Sequence, residues 1–190
     1  MNTLTRHQTW LIGGLLLTIM LTTRSHLFLS HIQDASWAIF FLVGFYIRDK
    51  LALPLFMLAA FIVDLLVIES KGGESYCFTT AYSFLAPAYA SLWFSGRWFS
   101  KHYSENLQGL VYFVASAIVG IAVCDVISSG GFYWFSGRFD NVNVTEFTGQ
   151  ITTYMPMFMK TALLYLSIAA VIHLAVVQAN KLAGLTHHPS

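Results

Sequence analysis

Hydrophobic positions in this chain come in long uninterrupted runs rather than in amphipathic stripes, and short polar clusters separate them. A membrane-spanning helix needs about 20 mostly apolar residues, and the runs approach that length. The first extends from Trp10 to about Thr22 and the second from Ser36 to Ile47, stopping at Arg48-Asp49-Lys50. The third covers Leu51 to Ile68, the fourth about Tyr76 to Phe94, the fifth Leu107 to Ile127 and the sixth about Met155 to Val177. The pattern predicts an all-α integral membrane protein with six transmembrane helices in one transmembrane domain, residues 1–190. Five spans remain the alternative if the short second run does not cross. After the first run, Thr22-Thr23-Arg24-Ser25-His26 carries no small-x-small cleavage pattern, which predicts a retained helix rather than a leader. Pro87, inside the fourth run, predicts a kink. The stretch 129–150, rich in glycine, aromatic and amide side chains, reads as a long connector, either functional or a solvated cap with interfacial aromatics.

Composition agrees with a lipid-embedded chain. Charged residues are only 10% of the total, against about 25% in ordinary globular domains, too few to cover a soluble surface. Ten Lys+Arg against nine Asp+Glu leave no basic excess for nucleic acid. With the N-terminus inside, Arg6, Arg48, Lys50, Arg97, Lys101 and Lys181 fall on the cytoplasmic side, and Arg24, Lys71, Arg138 and Lys160 on the other. Six against four predicts both termini inside. Asp34, Glu69, Glu74, Asp140 and Glu146 all fall in or beside outer loops, so the unusual chemistry gathers there.

Ionisable groups within spans are costly and mark function or a buried partner. Asp125, followed by Ser128 and Ser129, reads as a hydrogen-bonded structural acid. Asp64, set within Phe61-Ile62-Val63-Asp64-Leu65-Leu66-Val67, is the better functional candidate. His173, among apolar residues, reads as a hydrogen-bonded packing residue. His26 and His31 share the first outer segment, but their spacing does not place them on one helical face, which argues against a two-histidine zinc site. Cys124 continues the series Ser116, Gly120, Cys124, the small-residue stripe that lets membrane helices approach closely. Cys77 follows the polar loop Glu69 to Tyr76 and opens the fourth run, where a helix dipole would favour thiolate, a good ligand for soft or borderline metals. An inert buried thiol and a Cys77–Cys124 disulfide are the other readings of that cysteine. Tyr76, Phe78, Tyr82 and Phe84 gather aromatic surface nearby, as an interfacial belt or as walls for a large, flat, partly apolar ligand.

Asp64, Cys77 thirteen residues later and Tyr82 five beyond it, with Ser75-Tyr76-Cys77-Phe78-Thr79-Thr80-Ala81-Tyr82 and Ala86-Pro87-Ala88-Tyr89, resemble the BtuM family. These are small bacterial membrane proteins related to the S-components of energy-coupling factor transporters, and they serve cobalamin uptake. The resemblance implies an S-component-like bundle in the bacterial inner membrane that transports cobalamin or a related corrinoid. No other cofactor is implied. It implies that the Cys77 sulfur ligates cobalt, that Asp64 and Tyr82 shape the pocket with Tyr76 and Phe78, and that His26 and Arg138 contact the ligand. It also implies thiolate-assisted removal of cyanide from cyanocobalamin, a step that needs an outside electron source. S-components often dock a coupling subunit through an Ala-x-x-x-Ala patch on the first helix; here no alanine precedes Ala35, which fits a solitary transporter. The rival readings are an S-component for another vitamin, a membrane thiol enzyme built on Cys77, and a structural subunit without a ligand.

Overall fold

The computed structural model describes residues 5–25, 33–70 and 79–185. Among them are six α-helices and a short 3-10 turn: α1 (Arg6–Ser25), α2 (Ser36–Tyr46), α3 (Ala52–Ser70), the 3-10 turn (Thr80–Phe84), α4 (Leu85–His102), α5 (Leu107–Phe135) and α6 (Val144–Leu185). The described residues form no strand. Three helices, α3, α5 and α6, are long and apolar enough to cross a membrane. They expose large aliphatic side chains at helical spacing, such as Leu55, Leu58, Ile62 and Leu66 on α3 and Leu164, Ile168, Val171 and Ile172 on α6. Continuous apolar surface of that extent suits contact with lipid.

Side-chain contacts fix the direction of each helix. Arg24 at the end of α1 meets Ser36 at the start of α2, Asp64 late in α3 and Tyr89 early in α4. Arg97, late in α4, donates to the Arg48 carbonyl just beyond α2. Tyr133, late in α5, donates to Glu146 at the start of α6. Successive helices therefore run antiparallel between two ends: an Arg24 end, and a basic end where Arg48, Arg97 and Lys101 lie.

The second apolar run is a core element. At 1.5 Å per residue its 11 residues rise only about 16 Å, half the roughly 30 Å of a bilayer's hydrocarbon core. Every residue from Ser36 to Phe45 except Trp37 is buried, so this helix is apolar on all sides because protein surrounds it, not lipid. The chain still passes from one end to the other through α2, completing the journey as non-helical backbone at 47–49.

Two glycines set how closely α2 and α4 approach. A Cβ on Gly44 would fall on the Trp93 carbonyl, and one on Gly96 on the Phe41 carbonyl. Each helix thus presses its backbone against the glycine of the other, with Phe41 and Phe45 stacking on Phe99 alongside. Gly96→Val is expected to force the pair apart and to cost more than the roughly 1–3 kcal/mol of ordinary overpacking, because carbonyl backbone rather than a side chain must yield. Thermal unfolding in detergent checks this. Gly184→Val, where a Cβ meets nothing, should melt within a degree or two of the parent.

Four expectations change. The fourth helix begins at Leu85 rather than Tyr76 and runs on to His102. Pro87 is its third residue, among the first four N–H positions that lack a partner in any helix, so the expected kink has no cause and the proline marks the start. The long connector over 129–150 shrinks to 136–143, because α5 continues through Gly130 and Gly131 to Phe135 and α6 starts at Val144. Gly131 is there for packing: a Cβ would fall on the Phe84 ring of the 3-10 turn, which stacks on Phe135. The sixth helix extends beyond both expected limits to 42 residues, with Pro156 inside it.

The core draws on all six α-helices. Leu16 and Met20 of α1, Phe40 and Val43 of α2, Phe56 and Ala60 of α3, Leu92 of α4, Ile121 of α5 and Leu166 of α6 belong to one cluster.

Candidate functional site at the Arg24 end

The α1 run ends in Thr22-Thr23-Arg24-Ser25, and that polar ending builds the site. Arg24 is only 9% exposed, yet nearly all its donors are used. Its Nε donates to Asp64 Oδ1 and its Nη2 to Asp64 Oδ2, both at 2.6 Å, a two-point grip on the carboxylate. Its Nη1 donates to Asp34 Oδ2 at 3.1 Å, Ser36 Oγ at 3.0 Å and Tyr89 OH at 2.9 Å. Tyr82 OH donates to Asp64 Oδ2 at 2.7 Å. Asp34 in turn accepts from the Ser36 backbone N–H and hydroxyl, and the Ala35 N–H donates to Thr23 Oγ1. One guanidinium thereby joins α1, the connector before α2, α2 itself, α3 and α4, and through Tyr82 the 3-10 turn.

The local sequence explains the placement. Thr79 caps the 3-10 turn by accepting from the Ala81 N–H, which delivers Tyr82 toward α3. Phe40 stacks on Tyr89 at 4.3 Å, fixing the ring whose hydroxyl reaches Arg24. Phe61, one turn before Asp64, packs edge-on against Tyr82. Burying charges is costly unless they are paired and their remaining hydrogen-bonding capacity is met, and this arrangement meets both conditions. Asp64 and Asp34 are 19% and 34% exposed, and the one arginine faces both carboxyl groups.

Of the sequence-predicted site residues, Asp64 and Tyr82 are brought into direct contact. Arg138 lies in the 136–143 connector, where its backbone N–H donates to Ser136 Oγ. Cys77, Tyr76, Phe78 and His26 lie outside the described residues. Their segments join the described chain at this end: Ser25 follows Arg24, Gln33 precedes Asp34, and Thr79 caps the turn that carries Tyr82. Sequence reasoning missed Arg24, counted only as a topological charge, and Asp34. An arginine closing one apolar run at the depth of an aspartate closing another was the available signal.

The other polar groups within helices lie apart from this cluster, and two buried atoms among them, Trp93 Nε1 and Asp125 Oδ2, have no hydrogen-bond partner among the described residues. Cys124 is a free, fully buried thiol, and with Ser116 and Gly120 it lies on the buried side of α5. A Cβ on Gly120 would crowd Ser95 of α4, so the small-residue stripe does form a close seam. Asp125 accepts from Ser129 Oγ at 2.9 Å. His173 bridges two tyrosine hydroxyls, with Tyr46 at Nδ1 and Tyr103 at Nε2, each at 3.0 Å. A neutral imidazole accepts from one and donates to the other. Tyr103 belongs to the connector after α4, where burial first and the Glu105 carboxylate second push its hydroxyl above the ordinary phenol value. Among the described residues, no three His, Cys, Asp or Glu side chains gather as metal ligands.

No protein-family model matches the chain, and no curated protein is significantly similar to it.

Proposed function

We propose that the chain is a six-pass carrier of the bacterial inner membrane that takes up cobalamin or a related corrinoid. In this reading α1 and α4 cross beside α3, α5 and α6, and α2 makes the sixth passage as a protein-enclosed segment. Cargo binds at the Arg24 end, which faces outward, with the Cys77 sulfur as an axial ligand of cobalt.

The observation that carries the proposal is the hydrogen bond between Tyr82 and Asp64. It joins two of the positions on which the resemblance rests, on separate elements, at the end where the segments bearing His26 and Cys77 attach. The pairing also divides their roles. Asp64, gripped by Arg24 on both oxygens, is a positioning residue that holds the Tyr82 hydroxyl in one orientation, and Tyr82 presents its ring and oxygen to the corrin. A thiolate at Cys77 takes the axial place of the dimethylbenzimidazole nitrogen: the Co–N bond breaks, a Co–S bond forms and the base swings free. Thiolate is the better donor for a borderline ion. Donation from sulfur also weakens a cyano ligand opposite, and its loss then awaits an electron donor from outside the chain. The absence of alanine from α1 favours action without a coupling subunit.

Growth of a cobalamin-auxotrophic strain that expresses this chain alone tests the proposal. Growth on limiting cobalamin, with labelled vitamin accumulating in cells, is the expected result. Asp64→Asn and Tyr82→Leu should lower uptake several-fold per folded molecule, with Asp64→Asn also melting below the parent because Arg24 loses a charged partner. Normal accumulation in both variants would place the pocket elsewhere. A purified protein that stays colourless after incubation with cobalamin would favour a carrier of another vitamin or a thiol enzyme.

A further inference from the structure

At the basic end, the helices leave a partly open cavity of about 440 Å³ between α2, α4, α5 and α6. Its lining is mostly apolar, with Phe45, Phe99, Phe113, Leu166 and Ala170 among it. Its polar lining comprises Tyr46, Tyr103 and His173 together with the connector Ser104-Glu105-Asn106, whose Glu105 and Asn106 are exposed. Lys181, two turns beyond His173 on α6, closes over that connector in an ion pair with Glu105. Both partners keep solvent access, with side chains 55% and 32% exposed, so either charge remains available to an incoming group.

This is a mostly apolar cavity with one cation and one anion side by side at its rim. The rim lies at the end where Arg48, Arg97 and Lys101 cluster, the level at which lipid headgroups meet basic side chains. We propose that the cavity binds a zwitterionic glycerophospholipid of the phosphatidylethanolamine type, one acyl chain filling it. The phosphate meets Lys181 and the ammonium meets Glu105, each headgroup charge replacing one half of the existing ion pair. A phosphatidylglycerol lacks the cation for Glu105, and a free fatty acid lacks the group that Glu105 and Lys181 recognise together. The inference requires only that this end lies at a membrane surface, and it is independent of the cargo bound at the other end. The His173 bridge between Tyr46 and Tyr103 borders the cavity, so an occupied cavity would brace α2, the α4–α5 connector and α6 against one another.

The test is photolabelling of the intact protein in phosphatidylcholine nanodiscs, using phosphatidylethanolamine with a diazirine at the end of one acyl chain. Adducts are expected to concentrate on peptides covering Phe99 to Leu110 and Leu166 to Leu174. Labels spread evenly over all exposed apolar helices would overturn the proposal, and this arm needs no variant to fold. Ala170→Phe should fill the cavity and remove the concentrated label. Lys181→Gln should lower it several-fold, because the headgroup phosphate loses its cation. Glu105→Gln should erase the preference for the ethanolamine probe over a phosphatidylglycerol probe carrying the same diazirine. Equal labelling of the parent by both probes, or by a diazirine fatty acid, would contradict the headgroup assignment. So would concentrated label that persists in a folded Ala170→Phe protein.

Discussion

Arg24→Met is expected to be the most damaging single substitution in the described chain outside the close-packed glycines. The methionine keeps much of the apolar length of the side chain and removes the charge and every donor. Asp64 is then left with one neutral donor, Tyr82, and Asp34 with Ser36. Breaking a buried ion pair by deleting one partner typically costs about 3–5 kcal/mol, because the other charge stays in a medium that cannot solvate it. Much of a membrane bundle's recovery in detergent depends on a margin of that size. The protein is expected to aggregate on extraction, or to melt many degrees below the parent. The double variant Arg24→Met with Asp64→Leu should regain a large part of the loss, since an apolar pair of similar volume replaces a buried ion pair at little cost. Asp34, a third exposed and held by Ser36, tolerates solitude better than Asp64. If Arg24→Met melted like the parent, Arg24 would not be the link among α1, α2, α3 and α4.

The same residue shows where the sequence was legible and where it was not. Apolar runs located every helix, and Ser36 as the start of α2 and Leu107 as the start of α5 agree with the structure. Hydropathy cannot tell lipid from protein as the apolar surroundings, so the second run did not reveal that α2 is enclosed by protein. Glycine and proline misled in the opposite direction. Gly130-Gly131 suggested a loop, because a pair of glycines weakens a helix; tertiary packing against Phe84 overrides that cost. Pro156 sits inside α6 without ending it, and Pro87 begins a helix it was expected to bend. In the site, Asp64 stood out as an acid among aliphatics, and Tyr82 through the resemblance that sets it beside Cys77. Arg24 did not, because a cation at the end of an apolar run is ordinary until its partners, forty and sixty-five residues away, are known.

The proposed role of the Arg24 end turns on one sulfur atom. Cobalamin absorbs in the visible, and its bands report the axial ligands of cobalt, so exchange of the benzimidazole nitrogen for thiolate must change the spectrum of the bound vitamin. A serine hydroxyl at the same place stays protonated and neutral, and it is a far poorer ligand than thiolate for this ion. Ring contacts with Tyr82 and its neighbours would survive that substitution, so Cys77→Ser is expected to hold cobalamin more weakly but still detectably. Cys124→Ser, in the buried seam between α4 and α5, should leave the spectrum untouched. The decisive measurement is therefore the visible spectrum of cobalamin bound to the purified parent, to Cys77→Ser and to Cys124→Ser, each with affinity measured separately. A shifted spectrum in the parent and in Cys124→Ser, reverting to that of the free vitamin in Cys77→Ser, is the predicted result. Cobalamin bound to Cys77→Ser with the parent's spectrum would contradict sulfur ligation, whatever became of transport.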